Sequence, residues 1–444
     1  MTSTERIAGL GGRDRLVSGA VPAESAAPII ADRRLAPLSR QELERYHRNA
    51  LVPEVGLVGQ QRIRAARILL VGAGGLGSPA GLYLAAAGVG TIGIIDDDEV
   101  DLSNLQRQVI HTTSAVGTPK ADSAATAITG LNPGVEVIAQ RMRVTGDNAL
   151  ELLDGWDLVI DGTDNFPTRY LLADATALMG IPLIHGAVLR SHGQVGVFDA
   201  RRGPCYRCLH PQPPAPGSVP SCAEAGVLGV LPGIVGTMQA AEALKLIVGG
   251  GRPLIGRIQM LDVWGARIQE VAVARNPDCP LCGDHPTITA LVPHEDGCPA
   301  PGTAARPHGE PGATGPGTAE SAQSTATPNI QGPTAPPAME YDEISPAELA
   351  TLLAGPHAPA LLDVREEVEV ALDPLPGARH IPLGEVIQRA DELDEGRPTV
   401  VVCAAGVRSR RAIEALRAVG YRGELINLAG GMRALHEAGQ ANRD

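Results

Sequence analysis

The chain has 444 residues, 44% of them hydrophobic and 20% charged, which is globular in character and too long for one ordinary domain. Lys and Arg number 37 against 50 Asp and Glu, and the resulting charge of −13 argues against nucleic acid as the main partner and for a small molecule or another protein. Aromatic residues make up only 2%, so the cores must be built from Ala, Val, Leu and Ile.

Taken in chain order, residues 1–38 read as an irregular extension. Glu5, Arg6, Arg13, Asp14 and Arg15 stand where a secretory leader would need an apolar run, so a cytoplasmic protein is expected. Ser39 opens a polar helical segment, SRQELERYHRNAL, and a first domain is expected over 39–290. From residue 65 onward apolar bursts alternate with helical patterns, as they do in an α/β domain built of βαβ units. Ile68–Ile95 runs 28 residues without a charge, which satisfies a crude membrane-helix rule. Its glycines and its β-branched ends, RILLV and TIGII, read instead as strand, loop, helix and strand in a buried core. GVLGVLPGIVGTM, at 226–238, reads the same way, so no membrane is expected.

ARILLVGAGGLGSPAGLYLAAAGVGTIGIIDDD, at 66–98, places Gly72, Gly74, Gly75 and Gly77 between a strand and a helix. Glycines let backbone N–H groups approach a phosphate at a helix start. Ser78 is the expected N-cap and Pro79 the first helical residue. Asp96, at the end of the second strand, is placed to bind ribose hydroxyls. These features suit a dinucleotide, another nucleotide or tight strand–helix packing. The next segment, DDDEVDLSNLQRQVIHTTSAVGTPK, supplies Asn104, Arg107 and Lys120. Cations there suit a reaction in which phosphate charge builds up, and not a hydride transfer. DLVIDGTDNFPTRY, at 157–170, is another apolar strand running into acids, with Asp164 placed to hold Mg²⁺ on phosphates.

In this order GAGGLGSPAGLYLAAAGVG, SNLQRQ, DGTDNFPTRY, GPCYRCLHPQPP and CAEAGVLGVLPGIVG resemble the ThiF/MoeB family, adenylating enzymes of ubiquitin-like sulfur carriers, over about residues 40–290. The resemblance implies a Rossmann-like ATP-binding domain of the ubiquitin-activating type. Its ATP site carries over onto Gly75, Asp96, Asn104, Arg107, Lys120 and Asp164. It also implies a homodimer, because Arg48 in RYHRN matches an arginine that the family contributes across a subunit interface.

There are seven cysteines, an odd number that suits metal ligation or thiol chemistry better than a disulfide framework. Cys205 and Cys208 form one CxxC hook and Cys279 and Cys282 another, the bite of a tetrahedral Zn²⁺ site. Four thiolates leave no open position, so the site is expected to be structural. Cys222, in PSCAEAGV, resembles a thiol in a crossover loop of the family. An acyl thioester, a disulfide exchange with a persulfide donor and an inert packed side chain are all compatible with it. Cys298 reads as incidental. His111, His185, His192 and His210 each have a structural explanation and are assigned no role.

Residues 291–339 are Pro, Gly, Ala, Ser and Thr with almost no large apolar side chains, and read as a flexible linker. Its roughly 40 central residues would have an r.m.s. span of roughly 30–40 Å. A second, small α/β domain is expected over 340–444. LLDVREEVEV, GARHIPL, the cysteine loop and INLAGGM resemble a rhodanese sulfurtransferase domain. VVVC is a strand end, so Cys403 sits at the carboxyl edge of a sheet. Ala404, Ala405 and Gly406 are small enough for the loop to turn its N–H groups inward as an anion nest. Ser409 is the expected N-cap of a helix with the apolar stripe Ile413, Leu416 and Val419. The helix start and Arg408 both favour a thiolate. Only four residues separate Cys403 from Arg408, one fewer than in a phosphate-binding cysteine loop, which suits a single sulfur atom.

Together these readings describe a two-step enzyme, an adenylyltransferase and sulfurtransferase using ATP, Mg²⁺ and a structural Zn²⁺. A carrier's terminal carboxylate would be adenylated with help from Arg48, Arg107, Lys120 and Asp164. A persulfide on Cys403, loaded by a donor such as a cysteine desulfurase or thiosulfate, would then attack it. The rival is a protein-conjugating activator with a Cys222 thioester and a regulatory last domain.

Overall fold

The computed structural model describes residues 27–214, 225–291 and 342–441. Cys222 and Cys298, almost all of the expected linker and most of the expected extension lie outside the described residues. By their contacts, residues 27–36 and 58–291 make one unit, and residues 37–57 and 342–441 the other.

The first unit is an eight-stranded mixed sheet. Its elements are β1 (Arg67–Val71), α1 (Gly77–Ala87), β2 (Thr91–Ile95), α2 (Lys120–Leu131), β3 (Glu136–Gln140), β4 (Leu158–Asp161), α3 (Phe166–Met179), β5 (Leu183–Leu189), β6 (His192–Phe198), α4 (Val230–Val248), β7 (Arg257–Asp262) and β8 (Arg267–Ala272). The strand order is β3-β2-β1-β4-β5-β6-β7-β8. β1 to β5 run parallel and β6 to β8 antiparallel. Chain order reverses between β1 and β4, so the crevice above their carboxyl ends is where such a sheet binds ligands. Helices cover the parallel strands, which is why Ile68, Leu69, Leu70 and Val71 are all buried. α4 is 19 residues long and apolar enough to cross a membrane by length and composition. Leu231, Val235, Ala243 and Leu246 on it are buried, as in a core helix packed on α1 and β5.

The second unit contains β9 (Asp342–Ile344), α5 (Pro346–Leu353), β10 (Ala360–Asp363), α6 (Glu367–Leu372), β11 (Arg379–His380), β12 (Thr399–Val402), α7 (Val407–Ala418), β13 (Leu425–Leu428) and α8 (Gly431–Ala441). Its five strands are all parallel, in the order β11-β10-β12-β13-β9. Val400, Val401 and Val402 in the central strand are fully buried. The helix Arg40–Ala50, which groups with this unit, begins at a capping box. The Ser39 hydroxyl accepts from Glu42 N–H, and the Glu42 carboxylate accepts from Ser39 N–H.

Two expected caps are corrected. Leu76 occupies the N-cap of α1, while Ser78 lies inside the helix and donates to Gly74 O at 2.7 Å. Gly406, at φ +83°, is the N-cap of α7, and Ser409 is buried within the first turn. Of the three residues expected in the apolar stripe of α7, Ile413 and Leu416 are borne out. Ala412, Ile413 and Leu416 are buried, whereas Val419 lies past the helix and is exposed.

Candidate active sites

The glycine loop of the first unit is shaped by close approach. Gly72 has φ +94°, where a side chain is strained. Its N–H donates to Ile95 O at 2.8 Å, which ties the end of β1 to the end of β2. A Cβ on Gly77 would sit 2.0 Å from Gly72 O, so the loop closes only around glycine. On the other flank Gly162 N–H donates to Val71 O at 2.8 Å, and Gly162 and Thr163 lie against Gly72. Asp164, the next residue, is exposed at this edge.

Several candidate residues converge here. Asp96 accepts from Ala73 N–H at 2.7 Å and from Asp98 N–H at 2.9 Å. Burial pushes its carboxyl above the usual range, against those two N–H groups and Lys120. Lys120 starts α2, and its buried ammonium donates to Asp98 at 2.8 Å. Asn104 closes a short turn in which the N–H groups of Arg107 and Gln108 donate to its carbonyl at 3.0 and 2.9 Å. That turn lays Arg107 and Gln108 against the glycines. The Arg107 side chain would be 3.7 Å from a Cβ on Gly75, and Gln108 Nε2 3.6 Å from one on Gly74. Arg48 is exposed on the helix Arg40–Ala50.

Beneath the loop lies a polar cluster that sequence reasoning missed. Asp161, at the end of β4, is fully buried. Its carboxylate accepts from Thr163 Oγ1 at 2.6 Å, His185 Nδ1 at 3.1 Å and Arg169 Nε at 3.3 Å. Burial opposes the charged form, but His185, Arg169 and Thr163 together hold Asp161 below the usual carboxylate range. Burial pushes the His185 imidazole below its usual value, against the Asp161 carboxylate. The Arg169 guanidinium also donates to Thr163 O at 3.1 Å, which pins the segment leading to Asp164. His111 plays a similar part, donating from Nε2 to Ala73 O at 2.9 Å. The available signal was an acid ending an apolar strand with an arginine and a histidine nearby in sequence.

The four hook cysteines come together although 70 residues separate the pairs. All four sulfurs lie within 4.8 Å of one another, with Cys205–Cys279 at 3.5 Å and Cys208–Cys282 at 3.4 Å. Burial pushes the Cys205 and Cys208 thiols up. Four converging, half-buried thiols at such spacing fit a tetrahedral Zn²⁺, which would neutralise the charge that burial otherwise disfavours. The first hook is anchored by Arg207, whose guanidinium donates to both Asp174 oxygens at 2.6 and 2.7 Å.

Cys403 of the second unit follows β12 and is buried. Its sulfur accepts from Gly406 N–H at 3.1 Å and lies 3.3 Å from Ser409 Oγ. Burial works against a thiolate. The Ser409 hydroxyl, when its proton turns to the sulfur, and the N–H groups of Ser409, Ala405 and Gly406 work for it, and the thiol lies below its usual value. The Arg408 guanidinium interacts with the charge of Cys403 but makes its ion pair elsewhere. It donates to both oxygens of Glu369 at 2.6 Å each.

Residues 46–281 match the ThiF family and residues 345–438 the rhodanese-like domain. The chain belongs to the ThiF family. It is 52% identical over 265 residues to the sulfur carrier protein adenylyltransferase of Thermus thermophilus, covering 59% of this chain and 98% of that one. Over 403 residues it is 40% identical to the Mycobacterium tuberculosis protein named "Probable adenylyltransferase/sulfurtransferase MoeZ", covering 89% and 93%. Over 429 residues it is 39% identical to the adenylyltransferase and sulfurtransferase MOCS3 of Mus musculus, covering 92% and 86%. Among solved structures, a crystal structure of E. coli MccB is similar in fold, with TM-score 0.50 at 20% identity, covering 56% of this chain and 75% of that one. The ThiF-family match thus spans the glycine loop, the first cysteine hook and Cys279, and the rhodanese-like match spans Cys403.

Proposed function

We propose that this chain adenylates the C-terminal glycine of a ubiquitin-like sulfur carrier and then delivers sulfur to it from a Cys403 persulfide. The observation that carries the reading is that one chain holds both a glycine loop that closes only around glycine, with Arg107 against it and Lys120 beside the Asp96–Asp98 turn, and a cysteine loop whose N–H groups favour a thiolate. It is a bifunctional adenylyltransferase and sulfurtransferase.

A carboxylate is a poor electrophile. In the first step it attacks the α-phosphorus of Mg-ATP, the bond to the β-phosphate oxygen breaks, and pyrophosphate leaves. The product is a carrier acyl-adenylate. Lys120 exchanges Asp98 for phosphate oxygens, and with Arg107 it offsets the charge that grows in the transition state. Glycine-loop N–H groups hold phosphate, Asp96 binds the ribose and Asn104 orients the nucleotide, while Asp164 is the residue that would hold Mg²⁺, which would supply positive charge against the phosphates. Arg48 serves the site of the other subunit in a homodimer. In the second step the outer sulfur on Cys403 attacks the activated carbonyl and AMP leaves. Reductive cleavage of the resulting acyl disulfide by a thiol yields the thiocarboxylate. Zn²⁺ on Cys205, Cys208, Cys279 and Cys282 would hold the sheet's last strands in place without entering the reaction. The sulfur donor is a protein persulfide such as that of a cysteine desulfurase, or thiosulfate, and the enzyme works in the cytoplasm.

The test is carrier-dependent exchange of pyrophosphate into ATP, compared for the parent, Cys222→Ser and Cys403→Ala. The reading expects exchange in all three and loss of thiocarboxylate only with Cys403→Ala. Loss of transfer with Cys222→Ser alone would favour a thioester-forming activator.

A further inference from the structure

Behind Cys403 a line of side chains leads from the buried sulfur to solvent. Ser409 Oγ is 3.3 Å from Cys403 Sγ and donates to Asn427 Oδ1 at 2.6 Å. Asn427 Nδ2 donates to Glu343 Oε1 at 2.5 Å. Ser409 and Asn427 are fully buried, whereas Glu343 is exposed. The alignment follows from the sheet, since Asn427 of β13 and Glu343 of β9 are partners in the parallel register and Ser409 lies in the first turn of α7.

Proton counting gives this line a direction. A carboxylate only accepts, so Glu343 must take a proton from the Asn427 amide nitrogen, which fixes the amide with its oxygen toward Ser409. Ser409 has one hydroxyl proton, and two acceptors compete for it. Asn427 Oδ1 holds it at the shorter distance. When Cys403 is a thiolate, its sulfur needs that same proton, and giving it up would strand a buried carbonyl oxygen. When Cys403 carries a second sulfur, the negative charge moves to the outer atom, and Ser409 can keep its bond to Asn427.

We propose that Asn427 and Glu343 are positioning residues for sulfur transfer, holding the Ser409 proton away from the Cys403 sulfur. This rests on Cys403 acting as the sulfur-carrying nucleophile. The pair makes the thiolate less comfortable and more nucleophilic, and favours the loaded persulfide over the empty thiolate. The other charges around the loop include Arg408, closed by Glu369, with Glu366 beside it, Arg410, whose Nε donates to Gly406 O at 3.1 Å, and the exposed Arg433 of α8, whose N–H donates to Ala404 O. None of them contests the Ser409 proton in the bonds above.

The test is the pH dependence of Cys403 alkylation by iodoacetamide in the full-length protein, read on the Cys403 peptide by mass spectrometry. Asn427→Leu removes the competing acceptor, so its midpoint should fall by about one pH unit, a tenfold gain in thiolate at a fixed pH below it. Glu343→Lys, at an exposed position, puts a donor where the carboxylate was. It turns the amide round so that Asn427 donates to Ser409, and its midpoint should also fall. In a Ser409→Ala background the Asn427→Leu shift should vanish, and the Glu343→Lys shift should shrink to what the new charge alone produces. A midpoint that stays or rises in Asn427→Leu overturns the proposal. So do shifts of equal size with and without Ser409. Should Asn427→Leu fail to fold, the Glu343→Lys cycle decides on its own. Neither ATP nor carrier is needed, so failure here leaves the proposed relay standing. Absence of thiocarboxylate from a parent protein with the expected midpoints would refute the relay instead.

Discussion

The two cysteine sites place the same element in opposite settings. At the hooks four sulfurs crowd within 4.8 Å and burial pushes Cys205 and Cys208 toward the neutral thiol. At Cys403 one sulfur is met by the Gly406 N–H and the Ser409 side chain, which favour charge. The first setting asks for a cation and yields a fixed structure. The second supplies partial positive charge from the backbone and leaves the sulfur available for reaction. The two sites differ in how many sulfurs meet, since N–H groups reach the hooks as well, Asn276 N–H donating to Cys208 Sγ at 3.4 Å.

The sharpest way to break this contrast is to remove one sulfur from each site. Cys403→Ala should lower thiocarboxylate formation by about 10³-fold or more while leaving carrier-dependent pyrophosphate release unchanged. Cys208→Ser should act on the fold. It is expected to lose bound zinc by elemental analysis and to destabilise the first unit by several kcal/mol in thermal unfolding, with alkylation of Cys403 unaltered. If Cys208→Ser keeps both its metal and its melting temperature, the structural role is wrong.

Smaller effects sharpen the division between the two units. Lys120→Ala should reduce kcat for adenylation by about 10²-fold, in pyrophosphate release assays, without changing the rate at which Cys403 is loaded by a sulfane donor. Asp161→Asn would leave Arg169 buried beside a neutral amide, and should cost about 3–5 kcal/mol in denaturant unfolding. The same carboxylate gives the pH dependence its sign. Its folded value lies below the ordinary 3.8, so its contribution is complete above that pH and is lost as the pH falls through the lower folded value. Stability that instead rises on acidification would contradict the charged assignment.

What was legible in the sequence was whatever a short local pattern dictates. Glycines at 72, 74, 75 and 77 after an apolar burst can do little but turn a strand into a helix at close quarters. Two CxxC hooks announce a cluster of sulfurs able to hold a metal even when their meeting must be taken on trust. The two serines show where local reading stops. Ser78 and Ser409 each stand near a helix start and look like caps, but their hydroxyls bond to Gly74 O and to the Cys403–Asn427 pair. Those partners are chosen by folding, the second from 18 residues away. Asp161 and Arg169 escaped notice for the same reason, and His185 drew only a structural reading, since their common site exists only once β4, α3 and β5 are packed. Arg408 was expected to favour the thiolate and does interact with its charge, but Glu369, 39 residues earlier, takes its hydrogen bonds.

The most direct trial is intact mass spectrometry of a glycine-tailed sulfur carrier incubated with the protein, Mg-ATP, a reducing thiol and a sulfane donor. The parent should convert the carrier terminus from carboxylate to thiocarboxylate, one oxygen exchanged for one sulfur, and Cys403→Ala should stop at the adenylate. A carrier left unmodified by the parent, or thiocarboxylate formed equally well by Cys403→Ala, would contradict the account.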